Sequence, residues 1–114
     1  MNLRRAMFCA VIAAASFGVS AAEQPVSPAN AMAIARSNAC MGCHAIDRKL
    51  VGPSFQQIAE KYKGDPQANA KLEKKVKGGG AGVWGPIPMP SHPRMSDADI
   101  ETVVAWVLAG APQK

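Results

Sequence analysis

The hydrophobic positions fall into one long run, with Ser16 and Gly18 toward its end, and four short periodic segments. The run is Ala6 to Val19, preceded by Arg4 and Arg5 and followed by the small residues Ser20, Ala21 and Ala22. Behind it, Ser27-Pro28 reads as a helix start, with serine as cap and proline in the first turn. The helix is expected from Pro28 to about Ala39, with Met32, Ala35 and Ala39 on one face. Ser54 caps a second helix to about Tyr62, with Phe55, Ile58 and Ala59 apolar, and Gly64 breaks it. Asp65-Pro66 opens a third to Lys77, with Ala68, Leu72 and Val76 facing inward, and Gly78-Gly79-Gly80 ends it. Ser96-Asp97-Ala98-Asp99 resembles a capping box, and Ile100, Val103, Val104, Val107 and Leu108 follow at helical spacing up to a stop at Gly110. Alternation of the strand type is absent. Between Gly78 and Met95 there is no periodicity. Five glycines and the prolines Pro86, Pro88, Pro90 and Pro93 leave that stretch irregular. A loop of that length in a small domain is usually functional.

The leading run changes the composition. A basic start, an apolar stretch and a small-residue end make a secretory signal peptide over residues 1–22, cleaved after Ala22 or, as the other choice, Ala21. The stretch is too short for a typical spanning helix. Cleavage leaves 92 of 114 residues (114 less 22) as one domain, 23–114, and places it in the periplasm. Basic residues drop from 13 to 11 against 8 acidic ones, so the charge falls from +5 to +3 and does not argue for nucleic acid. The length excludes a TIM barrel and a complete two-half dinucleotide fold. With one Tyr, three Phe and two Trp there is little bulk to bury, so something else has to fill the interior.

Cys9 leaves with the signal peptide, and only Cys40 and Cys43 remain. They stand in Cys40-Met41-Gly42-Cys43-His44, the C-x-x-C-H signature of c-type haem attachment. Two thiols at this spacing reach the two vinyl groups on one side of the macrocycle, and His44 follows as proximal iron ligand. The competing readings are weaker. A Cys40–Cys43 disulfide closes a very small loop, a zinc site would need all of Cys40, Cys43, His44 and His92 although neighbouring Cys43 and His44 struggle to share one tetrahedral ion, and a thioredoxin-like pair wants a βαβ context. Candidates for the other axial ligand are Met32, Met41, Met89, Met95 and His92. Met32 reads as core, Met41 sits within the attachment loop, Met95 as a staple for the last helix, and His92 as an exposed loop histidine. Met89 stands among alternating prolines that hold its thioether in place, and it is the expected ligand.

The runs Cys40 to Asp47, Val51-Gly52-Pro53 and Gly82-Val83-Trp84-Gly85-Pro86-Ile87-Pro88-Met89-Pro90 resemble the small bacterial class I cytochromes c of the cytochrome c-551 type. The resemblance covers essentially the whole mature chain. It implies an all-α fold of about four helices wrapped around one haem c, covalently bound through Cys40 and Cys43. It also implies that the Pro53 carbonyl accepts from the proximal histidine and that the Trp84 indole N–H donates to a haem propionate. Without the resemblance, Trp84 reads as a core aromatic.

The expected function is one-electron transfer rather than enzymatic catalysis, by a periplasmic monomer without stable membrane insertion. It would carry electrons from a membrane respiratory complex to a terminal reductase or oxidase, and the resemblance suggests a nitrite reductase or a terminal oxidase as acceptor. The electron is expected to pass at an exposed haem edge, beside an apolar docking patch of Ile46, Val51, Ile87 and Pro88, with Lys49 near it. Two other readings stay open: a cytochrome subunit of a larger redox enzyme, and a ligand-binding or peroxidatic haem protein. Phe55, Leu72, Val76, Trp84 and Val104 are expected to pack against the cofactor. A cofactor bound by the native state alone supplies stability, so the apo chain should lack a cooperative thermal transition in calorimetry. A compact apoprotein that melts cooperatively would refute this.

Overall fold

The computed structural model describes residues 26–114, so the signal-peptide reading of 1–22 lies outside the described residues. Four helices follow in order: α1 (Pro28–Ser37), α2 (Phe55–Lys61), α3 (Ala68–Gly78) and α4 (Asp97–Leu108), with a single 3₁₀ turn at Cys40–Gly42 after α1. The fold is all-α, as the hydrophobic spacing predicts.

Three of the four helices start at a serine whose side chain satisfies a free N–H group. Ser27 accepts from the Asn30 N–H at 3.4 Å. Ser54 and Gln57 form a reciprocal capping box, with bonds of 3.0 and 2.9 Å. Ser96 accepts from the Asp99 N–H at 3.1 Å, but the return bond of a full box is not made. Aspartate is one methylene shorter than the glutamate that usually closes it.

Two boundaries depart from expectation. Helix α1 ends at Ser37, because Asn38 donates its side-chain amide to the Ile34 carbonyl at 2.9 Å and competes with the helical ladder. Ala39 then turns left-handed, at φ 60°, and is exposed, so it does not share the face of Ala35. The buried face of α1 is Ala31 and Ala35, with Met32 partly buried against the same cluster. Helix α3 begins three residues after Asp65. The Asp65 carboxylate bonds the Gln67 N–H at 2.8 Å and Lys71 at 2.6 Å, which makes Asp65-Pro66 a turn rather than a cap.

Helix α4 is the hub and packs on α1, α2 and α3. Its buried face splits into two clusters. Val103, Trp106 and Val107 join Ala31, Ala35, Phe55 and Ile58. Ile100 and Val104 join Met95. The Trp106 indole N–H donates to the Pro112 carbonyl at 2.8 Å and ties down the chain end. The long stretch after α3 is irregular, and its only β pairing is an isolated antiparallel bridge between Gly80 and Met89.

Met95 immediately precedes the cap of α4 and packs against Ile100, the arrangement of a hydrophobic staple. It is 5% exposed. Met95→Ala should destabilise the haem-loaded protein by about 2–5 kcal/mol in denaturant unfolding, from lost burial and the cavity left behind.

Candidate functional site

A cavity of about 580 Å³ lies between α2, α3, α4 and the two long loops. Cys40, Cys43 and His44 line it from the segment after α1, and Trp84 and Met89 from the loop after α3. Phe55, Leu72, Val76 and Val104 also line it, as the sequence reading expects.

His44 is held from three sides. Its backbone N–H bonds the Cys40 carbonyl at 3.0 Å, the helical turn that C-x-x-C-H spacing produces. Its ring Nδ1 lies 2.6 Å from the Pro53 carbonyl. A carbonyl only accepts, so Nδ1 carries the proton and Nε2 keeps its lone pair for a metal. The ring stacks on Phe55, with centroids 5.3 Å apart and planes inclined by 21°. Gly52 lies against the same ring, where a Cβ would fall 2.7 Å from Cε1. Backbone bonds from Gly52 to Cys43 (2.8 Å) and from Phe55 to Ala45 (2.9 Å) stitch the loop to the attachment segment. His44 is thus buried with one nitrogen committed.

The two cysteines are half-buried and are not joined to each other. Burial pushes the Cys40 thiol up; its own backbone hydrogen bond opposes this, and the nearby Cys43 adds to it.

Met89 is positioned by its backbone. Its N–H donates to the Gly80 carbonyl at 2.9 Å, and its carbonyl accepts from the Gly80 N–H at 3.0 Å. Gly79 makes this approach possible: it sits at φ +67°, and a Cβ there would fall 2.5 Å from the Met89 carbonyl oxygen. The glycine triplet, read in sequence as a helix stop, is also the anchor of the methionine loop. Gly52, the Phe55 stack and this anchor were missed. The adjacency of Gly52 to Pro53 was the one available signal.

Three expectations need correction. His92 is not an exposed loop histidine. It is half-buried, with Nε2 3.2 Å from the Asn38 carbonyl, and it does not line the cavity. Trp84 is not a core aromatic: it is 43% exposed at the cavity rim, with Lys61 Nζ 5.4 Å from its ring centroid, and the buried tryptophan is Trp106. Ile46 does not join the surface patch, because it packs against the main core. Val51 and Ile87 of that patch are exposed, as are Leu50, Val83 and Trp84, and all five line the cavity. Met95, buried against Ile100, does not line the cavity either.

These features fit a large flat apolar cofactor. The wall is apolar, two thiols and a histidine with a free Nε2 stand together on it, and a thioether lines the same space. Exposed side chains such as Ile87 gain a partner when the cavity is filled.

The sequence pattern of the family described as Cytochrome c matches residues 28–111. The chain is 45% identical over 74 residues to cytochrome c-551 of Pseudomonas aeruginosa, covering 65% of this chain and 70% of that protein. It is 48% identical over 73 residues to cytochrome c-551 of Azotobacter vinelandii, covering 64% and 88%. The crystal structure of Nitrosomonas europaea cytochrome c552 superposes with a TM-score of 0.67 at 42% identity, over 69% of this chain and 98% of that one.

The contact between Gly52 and His44 leaves no space for a methyl group. Gly52→Ala should displace the imidazole and destabilise the haem-loaded protein by about 1–3 kcal/mol, the usual range for overpacking. Proton NMR shifts of the His44 ring and a denaturant melt check this, and an unchanged pair of readings would contradict it.

Proposed function

The chain belongs to the cytochrome c family, binds one haem c covalently through its Cys40–Cys43 pair and is an electron carrier rather than an enzyme; from this we propose a periplasmic one-electron shuttle whose iron is ligated by His44 and Met89. One observation carries the ligand reading. His44, with Nδ1 committed to Pro53, and Met89, pinned through Gly80, line the same apolar cavity.

When bound, haem supplies a ferric/ferrous couple. The chain's residues decide how that couple is poised. The Pro53 carbonyl orients the His44 ring and raises its basicity as a ligand. The Met89 thioether is a weak donor to ferric iron and so favours the reduced state and a high potential, as does burial of the site. Two side-chain ligands leave no position for an added molecule, and this weighs against the ligand-binding reading. A pinned loop supports unchanged ligation in both oxidation states, which keeps reorganisation small. Trp84, at the rim with Lys61 over its ring, is the proposed donor to a propionate.

The apolar rim of Val51, Trp84 and Ile87 is the proposed exit for the electron and the docking surface for redox partners. A membrane respiratory complex as donor, and a nitrite reductase or terminal oxidase as acceptor, suit such a carrier. The amino-terminal signal pattern supports the periplasm as its compartment. Among the described residues no helix is long and apolar enough to cross a membrane.

Met89→Ala tests the ligand assignment. The variant should keep its haem, lose the methionine-to-iron charge-transfer band of the ferric protein and fall in reduction potential. Its reduced form should bind carbon monoxide readily, where the unmodified protein resists it. If Met95→Ala behaves this way and Met89→Ala does not, the assignment is wrong.

A further inference from the structure

Three segments of the chain meet at a residue outside the cavity. The His92 backbone N–H donates to the Val76 carbonyl at 3.1 Å and lies 3.3 Å from that of Lys77. These carbonyls stand at the C-terminal end of α3, where the helix offers them no donor. The His92 ring Nε2 lies 3.2 Å from the Asn38 carbonyl, at the C-terminal end of α1. Since that carbonyl only accepts, Nε2 carries a proton. Nδ1 is buried with no hydrogen-bond partner among the described residues. An acceptor in that state is unfavourable, and a structure that keeps it needs a compensating interaction. The bond to Asn38 is the one the ring makes.

That bond joins two parts of the site. Asn38 precedes Cys40 by two residues, and the Cys40 Sγ lies 4.0 Å from the same Asn38 carbonyl. His92 follows Met89 by three. Pro90 has no N–H to offer, and the next backbone N–H in a hydrogen bond after Met89 is that of His92. Met89 is therefore suspended between two anchors, Gly80 before it and His92 after it. Only the second reaches the attachment segment.

We propose that His92 is a positioning residue whose Nε2–H bond to the Asn38 carbonyl ties the Met89 loop to the Cys40 segment and holds the thioether on the iron. The inference rests on Met89 being the ligand. Its test is competition by imidazole for the ferric haem-loaded protein, followed by loss of the methionine-to-iron band. Leucine removes the donor, whereas glutamine carries an N–H at a reach similar to that of Nε2. His92→Leu should bind imidazole on the order of tenfold more tightly than the unmodified protein, the scale of one lost hydrogen bond. His92→Gln should stay within about twofold of the unmodified protein, because the donor is restored. In the unmodified holoprotein, ¹⁵N shifts should show the proton of the neutral His92 ring on Nε2. That measurement decides the matter if His92→Leu does not fold.

Unchanged imidazole affinity in His92→Leu would overturn the proposal, whatever its melting temperature. So would equal loosening in the leucine and glutamine variants, or a neutral ring protonated on Nδ1. An unmodified protein without a methionine band would overturn the ligand assignment and this inference together. A normal band that is insensitive to His92 overturns this inference alone.

Discussion

The hydrogen bond from His44 to the Pro53 carbonyl is the contact on which the site depends. At 2.6 Å it links the attachment segment to the loop that leads into α2, and it decides which imidazole nitrogen stays free. Proline suits the position, since its fixed ring stiffens a carbonyl that must not move. Gly52 lets the loop backbone come against the imidazole, and Phe55 closes the other side as the first residue of α2. The Ser54 capping box fixes where that helix begins, and with it the Phe55 ring. A helix cap, a proline and a glycine thus serve one side chain.

The opposite wall of the cavity is built on another principle. Met89 lies in a stretch with no helix or sheet, so its order comes from proline stiffness and a few backbone bonds. The Gly79-Gly80 anchor and the His92 contacts bracket it. The Met95 staple then hands the chain to α4. Helix α4 packs on the other three helices and carries both hydrophobic clusters. The small side chains of Ala31 and Ala35 are fully buried in the main cluster, where bulkier ones would hold α1 away. What the helices enclose is an apolar cavity with an exposed apolar rim, the kind of surface that marks a binding site.

Much of this was legible in the linear sequence, because the relevant chemistry is local. The order Cys40, Cys43, His44 carries the attachment geometry within one helical turn. Ser27, Ser54 and Ser96 announce three helix starts through bonds that span three residues. Glycine and proline density marks the Met89 loop as irregular, and periodicity assigns the buried face of α4. Local signals misled where a side chain had two local options. Asn38 ends α1 early by bonding Ile34, and Asp65 closes a turn instead of capping α3.

By itself the sequence determined the family, the covalent cofactor and the helix count, and it named the candidate ligands, since each depends on residue type and short spacing. Tertiary structure alone decided contacts between residues far apart in the chain. Gly52 matters because the fold lays it on the His44 ring, and Gly79 because the returning loop touches it. Trp84 is at the rim and Trp106 in the core because α4, not the loop, occupies the interior. His92 is half-buried because its carbonyl partner, Asn38, lies 54 residues away in sequence. No spacing rule reaches that far, since such contacts form only once helices are packed and loops closed.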